Sequence, residues 1–272
     1  MSGHRVVTIV QARRGSTRLP GKVLLPLGGA TVLEVMLERV RRSRLAGTVL
    51  VATTTAGEDD AIHDLAGRMG VMCFRGHPTD LLDRHYQPAR ALGARHVVKI
   101  PSDCPLIDPD IIDRVLGACL GAGDAWDYVS NLHPPTHPDG NDVEVCRFEA
   151  LEVAWREATR PLDREHTTPF LWDNPDRFRI GNVRWETGSD LSASHRVVLD
   201  YAEDYEVIRR VYDALAPVRP GFGVQDVAAF LDAHPDVAAL NARHRGVHWY
   251  DAHAHELRTA ASRATTPAEP AA

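Results

Sequence analysis

Lysine is almost missing from this sequence. Only Lys22 and Lys99 occur among 31 basic residues, the rest being arginine. Cysteine is equally sparse: Cys73, Cys104, Cys119 and Cys146 stand apart, with no CxxC pair. That spacing argues against both a zinc ribbon and a disulfide framework. No uninterrupted apolar run approaches the ~18–20 residues of a membrane helix. The first residues, MSGHRVVTIVQARRG, lack the cationic start, apolar stretch and cleavage site of a signal peptide. A cytoplasmic protein with no membrane partner is therefore expected. An excess of positive charge is lacking too, with 37 acidic residues against 31 basic and a net charge of -6. Nucleic-acid binding rests on neutralising many phosphates, so a nucleic-acid partner is not expected. A small anionic ligand needs only a local basic cluster.

What is present is an ordinary globular composition, 44% hydrophobic and 25% charged over 272 residues. The first 120 or so residues alternate strand-like and helix-like segments. Val6–Val10 is a continuous β-branched run, as in a strand buried on both faces. Helical spacing follows over 31–44, then strand-like Val49–Ala52, helical 59–70, and strand-like Val71–Phe74. Segment 80–92 reads as helix, His96–Ile100 as strand, and 108–120 as helix with Pro109 in its first turn. Such β-α repetition predicts a mostly parallel, doubly wound sheet. The alternation breaks near Ala122. Strand-like Tyr128–Ser130 and Val143–Cys146 flank a polar loop, followed by helical 148–158 and 165–174 and apolar pieces at Ile180–Val183 and Arg196–Leu199. We expect one domain over residues 1–256, with an α/β insertion at about 127–195 that returns to the sheet. The Ala/Thr/Pro-rich tail from 257 to 272 is expected to be disordered.

The loop after the first strand carries the strongest chemical signal. Ala12-Arg13-Arg14-Gly15-Ser16-Thr17-Arg18-Leu19-Pro20-Gly21-Lys22 sits where ligands collect in open α/β sheets, beyond a strand's carboxyl end. Gly15 and Gly21 permit close backbone approach, and Ser16 and Thr17 offer hydroxyls. Arg13, Arg18 and Lys22 supply charge suited to a polyphosphate. It is neither a Walker A loop nor a GxGxxG. A solvated basic turn is the plainer alternative.

Q-A-R-x-x-S-T-R-L-P-G-K resembles the N-terminal signature of CMP-sugar synthetases, including 3-deoxy-manno-octulosonate cytidylyltransferases. The chain as a whole is most similar to the cytidylyltransferase-like proteins of spore-coat polysaccharide biosynthesis. Matching stretches are FRGHPTDLLDRHY (74–86), KIPSDCPLIDPDIID (99–113), YVSNLHPPTHPDGNDVEV (128–145), REHTTPFLW (164–172) and VVLDYAEDYEVI (197–208). This resemblance implies a Rossmann-like nucleotidyltransferase fold with a mixed, mostly parallel sheet. It also implies transfer of CMP from CTP to a sugar acid or related small anionic acceptor, with pyrophosphate released. The alternatives are transfer to a phosphonate or sugar phosphate, and a non-catalytic nucleotide-binding regulator. A homodimer is common among relatives.

The same resemblance assigns Mg²⁺ as cofactor and carries the metal-binding aspartates onto Asp103 and Asp200. Mg²⁺ commonly takes one or two carboxylates together with phosphate oxygens. Asp103 also reads as a helix cap or turn before Pro105, and Asp204 as a cap or alternative ligand. Arg13, Arg18 and Lys22, with Asp103 and Asp200, form the expected catalytic set. Ala12, Gly15, Ser16, Thr53, Thr54, Gly76, Asp83 and Arg84 join the basic loop residues in the expected nucleotide site. The threonines equally suit a strand end, and Asp83 and Arg84 an exposed helix face. Asp142, Glu144, Arg164 and His166 form the expected acceptor site. Arg164 offers a fork for a carboxylate or phosphate, and His166 a base, a hydroxyl-orienting group or a structural histidine.

Overall fold

The computed structural model describes residues 5–259, apart from 124, 248 and 252, together with 266–267. Strands are β1 (Val6–Gln11), β2 (Pro26–Leu27), β3 (Ala30–Thr31), β4 (Thr48–Thr54), β5 (Met72–Gly76), β6 (His96–Pro101), β7 (Tyr128–Ser130), β8 (Glu144–Arg147), β9 (Ile180–Asn182) and β10 (Thr266–Pro267). Helices are α1 (Val32–Arg41), α2 (Asp60–Arg68), α3 (Leu81–Ala91), α4 (Pro109–Gly121), α5 (Phe148–Glu157), α6 (Pro161–His166), α7 (Pro169–Trp172), α8 (Ala202–Leu215), α9 (Val224–Ala233) and α10 (Pro235–Ala239). Eight strands form one sheet in the order β10-β9-β7-β8-β6-β1-β4-β5. All neighbours are parallel except those of β8, which runs against both β6 and β7.

The period of two along β1 distributes its side chains between two cores. Val6 and Val10 join Leu33, Met36 and Leu37 of α1, Leu65 of α2 and Ile112 of α4. Val7 and Ile9 join Leu82 and Ala89 of α3 and Leu151 of α5 on the other face. A third cluster seats α8 and α9 on Val197, Leu199 and Leu106. Helix starts follow the sequence closely. Thr31 caps α1 in a capping box with Glu34, Asp80 caps α3 and Asp108 caps α4.

Three expectations need revision. The helix predicted over 165–174 is two short helices, α6 and α7. Thr167 between them has φ 74°, and Pro169, which has no N–H, starts α7. Arg196–Leu199 is extended but lies in no strand: its backbone binds loops, with Val197 N donating to Asp139 O (2.8 Å) and Leu199 N to Asp103 O (2.7 Å). Finally, disorder does not begin at 257. Leu257 is buried, and the Arg258 and Thr259 amides donate to Asp173 Oδ1 at 2.7 and 2.9 Å. Residues 260–265 and 268–272 lie outside the described residues.

Topology positions the chemistry. Because β1, β4 and β6 are parallel, the loops after Gln11, Thr54 and Pro101 emerge along one sheet edge. The reversed β8 begins at that same edge, and its first residue, Glu144, lies opposite Lys99. A basic loop and an acidic strand start are thereby brought together.

Candidate active site

A cleft of about 520 Å³ opens along this edge. The loop after β1 forms one wall, folded on itself by Gly21 N donating to Arg14 O (3.0 Å), with Gly21 at φ 68°. Asp59 ties it to the start of α2, accepting from Arg14 N at 2.8 Å and from the Thr54 hydroxyl. Ala12, Arg13, Ser16, Arg18 and Lys22 line the cleft, as do Asp103 and Asp200 opposite.

Lys22 is the centre of the arrangement. Its side chain is 10% exposed, and Nζ donates to Asp103 Oδ2 (3.1 Å), Asp200 Oδ1 (3.0 Å) and Leu199 O (2.7 Å). Burial works against its charge, but Asp103 and Asp200 outweigh that and hold its pKa above the usual lysine value. Arg18 Nη2 reaches Asp200 Oδ1 at 2.7 Å while its guanidinium lies over the Tyr201 ring. The Asp200 pKa is depressed: burial opposes its charge, but Lys22, Arg18 and Arg196 favour it more strongly. Asp103 and Asp200, 97 positions apart in the chain, thus meet at one ammonium group.

Two devices fix this meeting. Leu199 N donates to Asp103 O, aligning the two acidic loops. Gly140, at φ 108°, lets the neighbouring strand of chain pass, since a Cβ there would meet Val197 C at 2.7 Å. Arg196 locks the result. It donates to Asp204 through Nε (2.9 Å) and Nη2 (3.0 Å), and to Asp139 Oδ2 through Nη1 (2.9 Å). Asp204 also accepts from Asp200 N, Tyr201 N and Asn241 Nδ2. Its lone pairs are filled within the protein, which leaves the structural reading of Asp204 and not the ligand one.

The nucleotide candidates divide. Arg84 lines the cleft, is 1% exposed, and its Nε and Nη1 have no hydrogen-bond partner among the described residues. Desolvation, with Arg13 nearby, pushes its pKa down to about 10. An unpartnered buried guanidinium in a cleft wall calls for an anion or a base acceptor. Gly76 serves it indirectly: a Cβ there would meet Arg84 Cγ at 2.9 Å. Asp83 points elsewhere, accepting from Trp155 Nε1 and Gln87 Nε2, both at 2.9 Å. Thr53 is fully buried with an unpartnered hydroxyl, and neither it nor Thr54 lines the cleft. Gly15 is exposed and does not line the cleft.

The acceptor candidates divide as well. Asp142, Glu144 and His166 line the cleft; Arg164 does not. Arg164 Nε donates to Asp80 Oδ2 (2.8 Å), Nη2 also binds Asp80, and Nη1 donates to Trp155 O (2.7 Å). Its fork joins α6 to the cap of α3. His166 stacks on Trp249 with centroids 3.7 Å apart, and burial takes its pKa down to about 3. It is a neutral imidazole at ordinary pH. Glu144 binds Lys99, Thr168 Oγ1 and, at 2.6 Å, Tyr128 Oη. Burial disfavours its charge, but Lys99 and these donors keep its pKa below the usual glutamate value. Burial raises Asp139 to about 7 and Asp142 well above the carboxylate range, with neighbouring carboxylates adding to both.

Sequence reasoning missed Arg196, Asp139, Lys99 and Trp249. Arg196 and Asp139 stand in matched or quoted stretches but look like ordinary charges until the loops meet. Trp249 belongs to a C-terminal segment that folds back onto the cleft with His244, which stacks on Tyr201 at 3.8 Å. Among the described residues no group of three or more His, Cys, Asp or Glu side chains is arranged to hold a metal by itself.

A parallel sheet with a basic loop and paired aspartates at its carboxyl edge defines a nucleotide-binding α/β protein. The cytidylyltransferase family profile matches residues 7–220, and the chain belongs to that family. It is 30% identical over 239 residues to the spore coat polysaccharide biosynthesis protein SpsF of Bacillus subtilis, covering 86% of this chain and 96% of that one. An uncharacterised protein of Methanocaldococcus jannaschii is 33% identical over 245 residues, covering 89% and 96%. A solved cytidylyltransferase from Leptospira borgpetersenii superposes with a TM-score of 0.81 at 30% identity, covering 87% and 97%. A 3-deoxy-manno-octulosonate cytidylyltransferase of Trichlorobacter lovleyi is 37% identical over 117 residues, 43% of this chain and 46% of that one.

Proposed function

We propose that this protein transfers CMP from CTP to a small sugar-acid-like acceptor and releases pyrophosphate. The observation that carries the reading is the convergence of Arg18 and Lys22 with Asp103 and Asp200 on a cleft whose wall holds the unpartnered Arg84. An acceptor hydroxyl oxygen attacks the α-phosphorus and gives up its proton to solvent, the bond from the α-phosphorus to the α,β-bridging oxygen breaks, and pyrophosphate leaves with that oxygen. Negative charge gathers on phosphate oxygens, so positioning and cationic groups supply the catalysis. Arg13, Arg18 and Lys22 hold the triphosphate, and Arg84, close to Arg13, meets the nucleotide from the cleft wall.

Asp103 and Asp200 fit a magnesium ion. Their oxygens converge on one cationic nitrogen, and Mg²⁺ asks for one or two carboxylates, with phosphate and water completing its shell. When bound, such an ion neutralises charge developing on the phosphate oxygens. Asp139 and Arg196 keep the two carboxylates in place. His166, neutral and stacked, orients the acceptor.

The test is a matrix of four nucleoside triphosphates against sugar acids, sugar phosphates and phosphonates, following pyrophosphate and product mass. CTP with a sugar acid gives both, and Asp103→Asn abolishes both while the thermal transition persists. Preference for another triphosphate would correct the base, and near-normal turnover of Asp103→Asn at saturating Mg²⁺ would remove the metal role.

A further inference from the structure

Beside the cleft lies a smaller chamber of about 50 Å³, and the two share Leu132, Asp139, Asp142, Glu144 and Trp249. On that measure one water needs about 10–15 Å³, so the chamber has room for a few water-sized groups, enough for a short terminal group. Among the described residues no lysine or arginine lines it. Its charged walls are the carboxylates Asp139, Asp142 and Glu144, set among neutral polar groups, and Trp172, Trp249 and Tyr250 supply aromatic surface. Ring faces are electron-rich and favour a cation or C–H groups over an anion.

Two of the three carboxylates are already satisfied. Asp139 accepts from Arg196, and Glu144 from Lys99, Tyr128 and Thr168. Asp142 receives no donor from the side chains or backbone of the described residues. Yet the chain on both sides of it is pinned. Val143 N donates to Asn131 Oδ1 (3.0 Å), Asn131 Nδ2 donates to Asn141 O (2.7 Å), and Asn141 Oδ1 accepts from Asp108 N (3.0 Å). A carboxyl group fixed in place and left without a donor is destabilising unless something else supplies one. It stands where cleft and chamber join.

We infer that the chamber receives the end of the acceptor remote from its reacting hydroxyl, and that this end carries a hydrogen-bond donor and no negative charge. A hydroxymethyl or an aminomethyl group meets that description. The inference rests on the cytidylyl-transfer reading and narrows its acceptor class. Any carboxylate of the acceptor stays in the cleft, which Arg13, Arg18, Arg84 and Lys99 line. In the chamber it would be desolvated beside Asp139, Asp142 and the ionised Glu144, whose partner Lys99 is already engaged, and burying an anion without a paired cation is costly.

Three matched probes test this: 3-deoxy-manno-octulosonate, the analogue with an amine in place of its terminal hydroxyl, and the analogue with that carbon oxidised to a carboxylate. Binding to the full chain in the presence of CMP is measured by calorimetry, and CTP binding is measured separately. The hydroxyl and amine forms bind, and the carboxylate form binds at least about 100-fold more weakly. Asp142→Asn weakens the first two about tenfold and narrows the gap to the third. Trp249→Ala, on an irregular segment, weakens the same two and serves as a second variant should Asp142→Asn not fold. Equal binding of all three probes, or binding of none while CTP binds, overturns the inference. Failure of CTP itself to bind overturns the cytidylyl reading instead.

Discussion

Arg84 illustrates how a residue lining the proposed nucleotide site can work against stability. Its guanidinium is almost wholly buried, two of its nitrogens lack partners among the described residues, and a Cβ at Gly76 would collide with its stem. Burying an uncompensated charge is costly, and replacing one by an apolar chain of similar length commonly stabilises. Arg84→Met should therefore raise the urea midpoint or leave it unchanged while weakening CTP binding at least about tenfold. A variant that lost both stability and CTP affinity would show that Arg84 is a packing residue. The neighbouring Asp83 shows the limit of reading a pair from sequence. Adjacent residues on α3 point about 100° apart, so Arg84 faces the cleft while Asp83 faces Trp155 of α5. Thr54 is similar: a hydroxyl after a strand suits a ligand, but here it binds Asp59 and supports the loop from behind.

At the scale of elements, strands and caps were legible because their signals are local. The β-branched run of β1, Thr31 before Glu34 and Pro109 after Asp108 each act within a few residues. The break at Thr167 was not, since a β-branched residue at positive φ persists only where surrounding contacts impose it. Arg164 was misread for a related reason. A forked cation in a matched motif suits an anionic acceptor, but α6 packs against α3 and the fork is spent on Asp80 and the Trp155 carbonyl. Arg164→Ala should lower stability by about 1.5–3 kcal/mol in urea unfolding, the range for hydrogen bonds to charged groups. Because it holds the start of α3, the KM for CTP should rise together with that loss. A rise confined to the acceptor's KM, with unchanged stability, would restore the acceptor role.

The whole molecule carries a pH signature. His137 is buried, stacked near Trp185 with centroids 6.0 Å apart, and both its ring nitrogens lack partners among the described residues. Desolvation, with Arg114 nearby, takes its pKa down to about 4, against an ordinary 6.5. Between those values the unfolded chain binds a proton that the native chain does not, so this histidine's contribution is present above pH ~6.5 and lost as pH falls towards ~4. His137→Phe removes the effect. The variant's stability relative to the parent should grow by about 1.4 kcal/mol per pH unit across that window. A stability difference between variant and parent that stays the same at pH 7, 6 and 5 would show that the His137 pKa is not lowered by folding.

The sequence by itself determined the β-α alternation, the loop after β1 as a basic site, and the motifs carrying Asp103 and Asp200. Each depends on residues close in the chain or on patterns preserved as motifs. Only the tertiary structure decided which of those residues face one another. The reversal of β8 set Glu144 beside Lys99, and the crossing at Gly140 brought Asp139 to Arg196. The return of the C-terminal segment placed Trp249 on His166. Such pairings join positions scores of residues apart, and local propensity holds no record of them because the contacts exist only after the sheet has closed its order.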